Sequence, residues 1–213
     1  MAMIHTLSVW ALLLMAVGWS SAQPMERTPL DQRVDRFLKE NRNRWRDWNV
    51  PYEDGKVLYS LILKHGYRRA LEIGTSTGHS AIWMAWALSK TGGRLWTIEI
   101  NESRYRMALQ NFKKAGVEAF IKAHLADAHQ LVRELEGPFD SIFSDADKDW
   151  YLQYFKELDP KLAVGGCFTA HNVLQGHKGI KDFLDYVRSL PYYETTIDRS
   201  SRAGLSISYK VSK

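Results

Sequence analysis

Behind Thr28-Pro29-Leu30-Asp31, the residues Val34, Phe37, Leu38, Asn41, Trp45 and Trp48 recur at the spacing of one helix face. Pro29 suits a first turn, so the pattern predicts a helix that begins there and is stopped by Pro51. A second helix is predicted over 53–64, with Val57, Leu58, Leu61 and Ile62 apolar and Gly66 closing it. From residue 69 strands and helices alternate. Strands are predicted over 70–73, 94–100, 120–125, 139–144 and 162–170. Helices are predicted over 80–89, 103–115, 127–135, 151–158 and 180–190. Two last strands, 193–197 and 205–211, have only a polar turn between them. The alternation implies an α/β, Rossmann-like three-layer sandwich whose seven-stranded sheet is mostly parallel and covered on both faces. The final pair, with no helix between them, is expected to be antiparallel at one edge.

Composition changes this picture little. Hydrophobic residues make up 45% and charged residues 25% of the 213, enough for one domain with a sizeable core over 23–213. The net charge of +5 admits an anionic partner. However, Asp31, Asp35, Glu40 and Asp47 interrupt the basic cluster between Arg27 and Arg46, and no recognition motif accompanies it. No nucleic-acid partner is expected. Cys167 is the single cysteine, which excludes an intramolecular disulfide.

The N-terminus is distinct. Residues 3–19 are almost wholly apolar, and Ser20-Ser21-Ala22 follows as a small-residue cleavage pattern. The run is short for a membrane span, which needs about 20 apolar residues. Residues 1–22 are therefore expected to be a signal peptide, with the chain exported to a periplasm or secreted. An alternative stays open. No Lys or Arg precedes the run, whereas Arg27, Arg33, Arg36 and Lys39 follow it. That bias favours an uncleaved membrane anchor with the body in the cytoplasm.

Chemistry concentrates after the strands. Leu71-Glu72-Ile73-Gly74-Thr75-Ser76-Thr77-Gly78-His79-Ser80 joins a strand to a helix through a glycine-rich turn. Gly74 permits a tight turn and close ligand approach, and N–H groups at the helix start can hold an anionic group. Ser76 stands where a dinucleotide fingerprint wants its second glycine, which argues against pyrophosphate binding. Glu99 ends the second strand about 20 residues on, where a carboxylate can accept from both ribose hydroxyls of a nucleoside. Asp145-Ala146-Asp147-Lys148-Asp149 follows the fourth strand and His171-Asn172 ends the fifth. Adjacent strands would bring Asp145, His171 and Asn172 together as a candidate divalent-cation site. Without a ligand, each of these clusters is an ordinary strand-end loop.

With these residues in view, the chain resembles the catechol and caffeoyl-CoA O-methyltransferases, which use S-adenosylmethionine (SAM) in the class I fold. The likeness runs over nearly the whole chain after the leader. It rests on Trp48-Asn49-Val50 followed by Gly55, on LEIGTSTGHSA, and on the segment Asp145 to Tyr151. The resemblance implies that the Val50 segment closes over the cofactor. It implies that Glu72, Gly74 and Ser80 line the methionine end, that Glu99 binds ribose, and that Asp127-Ala128 lies beside adenine. Asp145 would be a metal ligand near the cofactor, and Lys148 the general base acting on a small hydroxylated acceptor. One departure stands out: the family has Asp-Asn where this chain has His171-Asn172. His79, within the cofactor loop, is read as a packing or solvent-contact residue.

Two other functions share these features. A nicotinamide-dependent oxidoreductase uses a similar sheet, but the missing glycine fingerprint and the DADKDWY segment oppose it. A non-catalytic binding protein could retain the fold with its metal site lost. The N-terminal helices are candidate surfaces for a homodimer.

Overall fold

Thr28 and Asp31 begin the first helix with a reciprocal cap. In the computed structural model, which describes residues 27–213, Asp31 N donates to Thr28 Oγ1 at 3.2 Å and Thr28 N to Asp31 Oδ2 at 2.9 Å. The leader and its two readings lie outside the described residues. Helix α1 spans Pro29–Glu40 and is shorter than the periodicity predicted. The Asn41 backbone N–H and its side-chain amide both donate to Phe37 O, closing the helix there. Asp47 and Trp48 then adopt positive φ of 65° and 67°, which no right-handed helix admits. Trp45 and Trp48 therefore belong to a strap after the helix. Helix α2, Tyr52–His65, ends as expected at Gly66 with φ 66°.

The alternating region folds as β1 (Arg69–Ile73), α3 (His79–Thr91), β2 (Arg94–Glu99), α4 (Glu102–Ala115), β3 (Ile121–Leu125), α5 (Ala128–Glu134), β4 (Phe139–Ser144), α6 (Tyr151–Leu158), β5 (Leu162–His171), α7 (Lys178–Ser189), β6 (Tyr193–Asp198) and β7 (Leu205–Lys210). The sheet order is β3-β2-β1-β4-β5-β7-β6. β1 to β5 are parallel, and β7 runs against both β5 and β6. The antiparallel pair forms one end of the sheet as expected, with β7 one place in and β6 outermost.

Period-two side-chain alternation fills both faces. Ile142 points into the layer of α5, α6 and α7, with Phe155, Phe168 and Phe183. Its neighbour Phe143 points into the layer of α2, α3 and α4, with Ile62, Met84 and Phe112. The chain reverses its order of placement between β1 and β4, so a crevice opens beyond their carboxyl ends. Ile73 pairs with both Ile98 and Ser144, and Ser144 with Ala170, so four strands finish level there. Among the described residues no helix is long and apolar enough to cross a membrane.

One buried carboxylate ties α1 to this body, beside the packing of Val34 and Leu38 and the bonds of Arg33 to the Lys113 and Lys114 carbonyls. Asp31 Oδ1 accepts from Trp86 Nε1 at 2.6 Å and pairs with Lys90 Nζ at 2.5 Å, both on α3. Removing it leaves an indole N–H and an ammonium facing each other without a partner. Asp31→Ala is expected to lower unfolding free energy by about 3 kcal/mol, read from urea midpoints. A change under about 0.5 kcal/mol, the level of an ordinary surface substitution, would show that the other contacts dock the helix.

Candidate functional site

The turn after β1 sits tightly against the end of β4. Asp145 N donates to Ile73 O at 2.9 Å, and a Cβ on Gly74, where φ is +96°, would lie 2.5 Å from Asp145 O. Glycine is thus required by both conformation and space. The same turn aims Ser76 N at Glu99 Oε2, 2.7 Å away, while Asn101 N donates to Oε1 at 2.8 Å. Glu99 is 6% exposed and lines the crevice, each oxygen keeping a lone pair beyond its backbone bond. Asp127 caps α5 by accepting from His129 N at 2.9 Å. These groups line one cavity of about 640 Å³, whose walls include Trp48, Gly74, Glu99, Ala128, Asp145 and Asn172.

Three expected cofactor residues sit behind that wall. Val50, Glu72 and Ser80 are buried and outside the cavity lining. Glu72 Oε2 accepts from Thr97 Oγ1 at 2.5 Å, and Oε1 has no partner. Burial pushes the Glu72 carboxyl up to about 7; Asp145 and Glu99 add to this, and Ser80 and Thr97 oppose it. Val50 gives its carbonyl to His79 Nδ1 at 2.9 Å. Trp83 Nε1, which can only donate, points at His79 Nε2 at 3.1 Å, so the neutral tautomer carries its proton on Nδ1. Trp45 stacks on the same ring at 4.5 Å. His79 is therefore a packing residue, buried away from solvent, that anchors the strap.

The strap is tied down at further points. Ser76 Oγ donates to Asp47 O at 2.5 Å, and Asn49 Nδ2 to Thr77 Oγ1 at 2.7 Å. Arg104 pairs with Asp47 at 2.9 Å. Trp48, 78% exposed, projects at the cavity mouth.

At the cavity floor the expected trio Asp145, His171 and Asn172 does converge, with an unforeseen member. His171 Nδ1 is 3.0 Å from Asp145 Oδ2, and its Nε2 is 2.8 Å from Asp54 Oδ2. Ser201 Oγ also donates to Asp54 Oδ2 at 2.8 Å. Burial disfavours charge on His171, but the bonds and charges of Asp145 and Asp54 outweigh it and push its pKa up to about 9. Lys148 Nζ lies 3.5 Å from Asp145 Oδ1 and from Ala146 O. Asp54 escaped the sequence reading because it stands 117 positions from His171 and looks like an acidic residue in a helix's first turn. A ligating imidazole needs a free lone pair, and both His171 nitrogens are engaged by carboxylates. Among the described residues no group of three or more His, Cys, Asp or Glu side chains is arranged to hold a metal ion. The donor set does not fit a divalent cation.

The strand order, the reversed strand beside the edge and a carboxylate ending β2 define the Rossmann-like methyltransferase architecture. The chain belongs to the O-methyltransferase family, whose model matches residues 21–185. It is 37% identical over 134 residues to a catechol O-methyltransferase of Niastella koreensis, covering 61% of this chain and 60% of that protein. It is 31% identical over 160 residues to caffeoyl-CoA O-methyltransferase 1 of Eucalyptus globulus, covering 73% and 63%. The chain thus spans less than two thirds of either relative's length. Among solved structures, the O-methyltransferase TomG of Streptomyces achromogenes, in complex with SAM, superposes with a TM-score of 0.74 at 27% identity, covering 85% of this chain and 91% of that one.

Burial holds the His79 pKa down to about 4, against 6.5 in an unfolded chain, with the Val50 carbonyl and Glu53 opposing. A depressed histidine contributes stability that is present above pH 6.5 and lost as pH falls through 4. Between those limits the protein is expected to lose roughly 3 kcal/mol more than His79→Gln does, measured by urea unfolding at each pH. Parallel curves for the two proteins would refute the buried-neutral assignment.

Proposed function

We propose that the protein transfers a methyl group from SAM to a hydroxyl of a small, catechol-like aromatic acceptor. The observation that carries this reading is Glu99. Its carboxylate is pinned by two backbone N–H groups at the crevice, with acceptor capacity left for a ribose diol. The family match and the relatives' names support the same chemistry.

SAM supplies an electrophilic methyl group on a sulfonium. Glu99 accepts from the ribose hydroxyls, and Asp127 and Ala128 flank the base. Gly74 lets the backbone approach the amino-acid end. Glu72 and Ser80 stand behind the turn that carries Gly74 and support it from the buried side. Trp48 and Asn49 of the strap line the cavity mouth. Lys148 lines the cavity and is the group placed to take the acceptor's proton. Asp145 holds that ammonium afterwards, 3.5 Å away. With SAM bound, transfer of the methyl group to the acceptor oxygen would leave the carbon–sulfur bonding pair on sulfur as a neutral thioether.

Calorimetric titration with SAM, with NAD as control, tests the reading. Saturable SAM binding is expected, weakened at least about tenfold in Glu99→Ala. Lys148→Ala should keep the affinity and lower turnover by about 10²-fold or more on an acceptor that the wild type methylates. Folded protein that ignores SAM would overturn the proposal. Binding without turnover across a broad panel of hydroxylated acceptors would favour a non-catalytic binding protein.

A further inference from the structure

We infer that the His171 side chain fills the place of a divalent cation in this protein, and that the site works without metal. The inference deepens the transferase reading and rests on it for the position of the site. Its ground is the arrangement at the cavity floor. Two carboxylates from distant parts of the chain, Asp54 on α2 and Asp145 after β4, approach one imidazole from opposite sides at 2.8 and 3.0 Å. Each ring nitrogen is taken up by a carboxylate oxygen, which leaves no imidazole lone pair for a metal ion. The ring bridges the two acidic side chains, the position a metal ion takes between acidic ligands.

The charge balance agrees. The resembled family pattern has a carboxylate where His171 stands. A carboxylate with a bound dication carries a net charge of +1, and so does an imidazolium. One substitution thus removes an anionic ligand and supplies the cation that the other carboxylates require. Geometry blocks the alternative. To ligate, His171 would have to break its buried bond to Asp54 or its part-buried bond to Asp145. Asp54 is fully buried; its Oδ2 is shared by His171 and Ser201, and its Oδ1 has no partner.

His171 and Asp54 are positioning residues in this scheme. They fix Asp145, which in turn holds Lys148 at the cavity. Lys148 then has no dication beside it, and the acceptor is not required to offer two adjacent hydroxyls for chelation. One hydroxyl within reach of Lys148 suffices.

The test is titration of the wild-type protein with Mn²⁺, following the free aqua ion by electron paramagnetic resonance, with and without S-adenosylhomocysteine (SAH). No stoichiometric uptake is expected up to millimolar metal. His171→Asp should gain one Mn²⁺ site, at least about tenfold tighter than any wild-type binding, and should melt higher with Mn²⁺ than without. SAH binding by the variant shows that it is folded. Stoichiometric Mn²⁺ uptake by the wild type, lost in His171→Ala, would overturn the inference. So would a folded His171→Asp that takes up no Mn²⁺. The wild-type metal result is read separately from SAH binding, so a failure of the cofactor reading is distinguishable from a failure of this one.

Discussion

The contact between the glycine turn after β1 and the first residue beyond β4 organises everything near the cavity. Asp145 N bonds to Ile73 O, and Gly74 lies so close to the Asp145 carbonyl that no side chain fits between them. This contact can form only where the strand order reverses, because only there do two adjacent parallel strands send their following segments to opposite faces of the sheet. Once formed, it sets three positions together. Ser76 N reaches Glu99, the Asp145 carboxylate faces β5, and the loop carrying Lys148 starts at the cavity edge.

Around that contact, the protein spends stability on buried polarity. Asp54 and His171 are buried, and Asp145 joins them from the cavity wall. Such a cluster is weak evidence for stability in itself, since desolvation cancels much of the attraction. Its value lies in constraint. α2, the β4 loop, β5 and the β6–β7 connection all contribute a donor or acceptor, so none of them can shift without leaving a charge unpaired. Glu72 is a second buried polar group, with one oxygen bonded to Thr97 and the other without a partner.

The strap connects the helical layer to the site by a different kind of interaction. Its anchor is neutral and aromatic: His79 lies between Trp45, Trp83 and the Val50 carbonyl. Its outer half is charged and exposed, through Asp47 and Arg104. The inner half resists salt and the outer half does not, because screening acts on exposed pairs far more than on buried hydrogen bonds. Residues 46–48 are thus the part of the strap best able to open.

By itself the sequence determined the local units of this protein. Each strand and helix from residue 69 onward follows from apolar periodicity and glycine stops, with bounds that match those observed or differ by at most two residues. Gly74, Glu99, Asp145, His171 and Asn172 were legible as cavity residues because strand-end positions in an α/β order point to one crevice, whereas Asp127 and Ala128 were legible only through the family resemblance. The first helix was drawn too long, since periodicity persists through Trp45 while the Asn41 amide and the positive φ values of Asp47 and Trp48 end it. Only the tertiary structure decided which groups stand behind the crevice and which face it. Val50, Glu72 and Ser80 fall behind it, and His79 turns inward, because the strap and α3 pack over them. Only the tertiary structure joined Asp54 to His171. That bond spans 117 positions, carries no local periodicity, and arises from the way α2 crosses the end of β5.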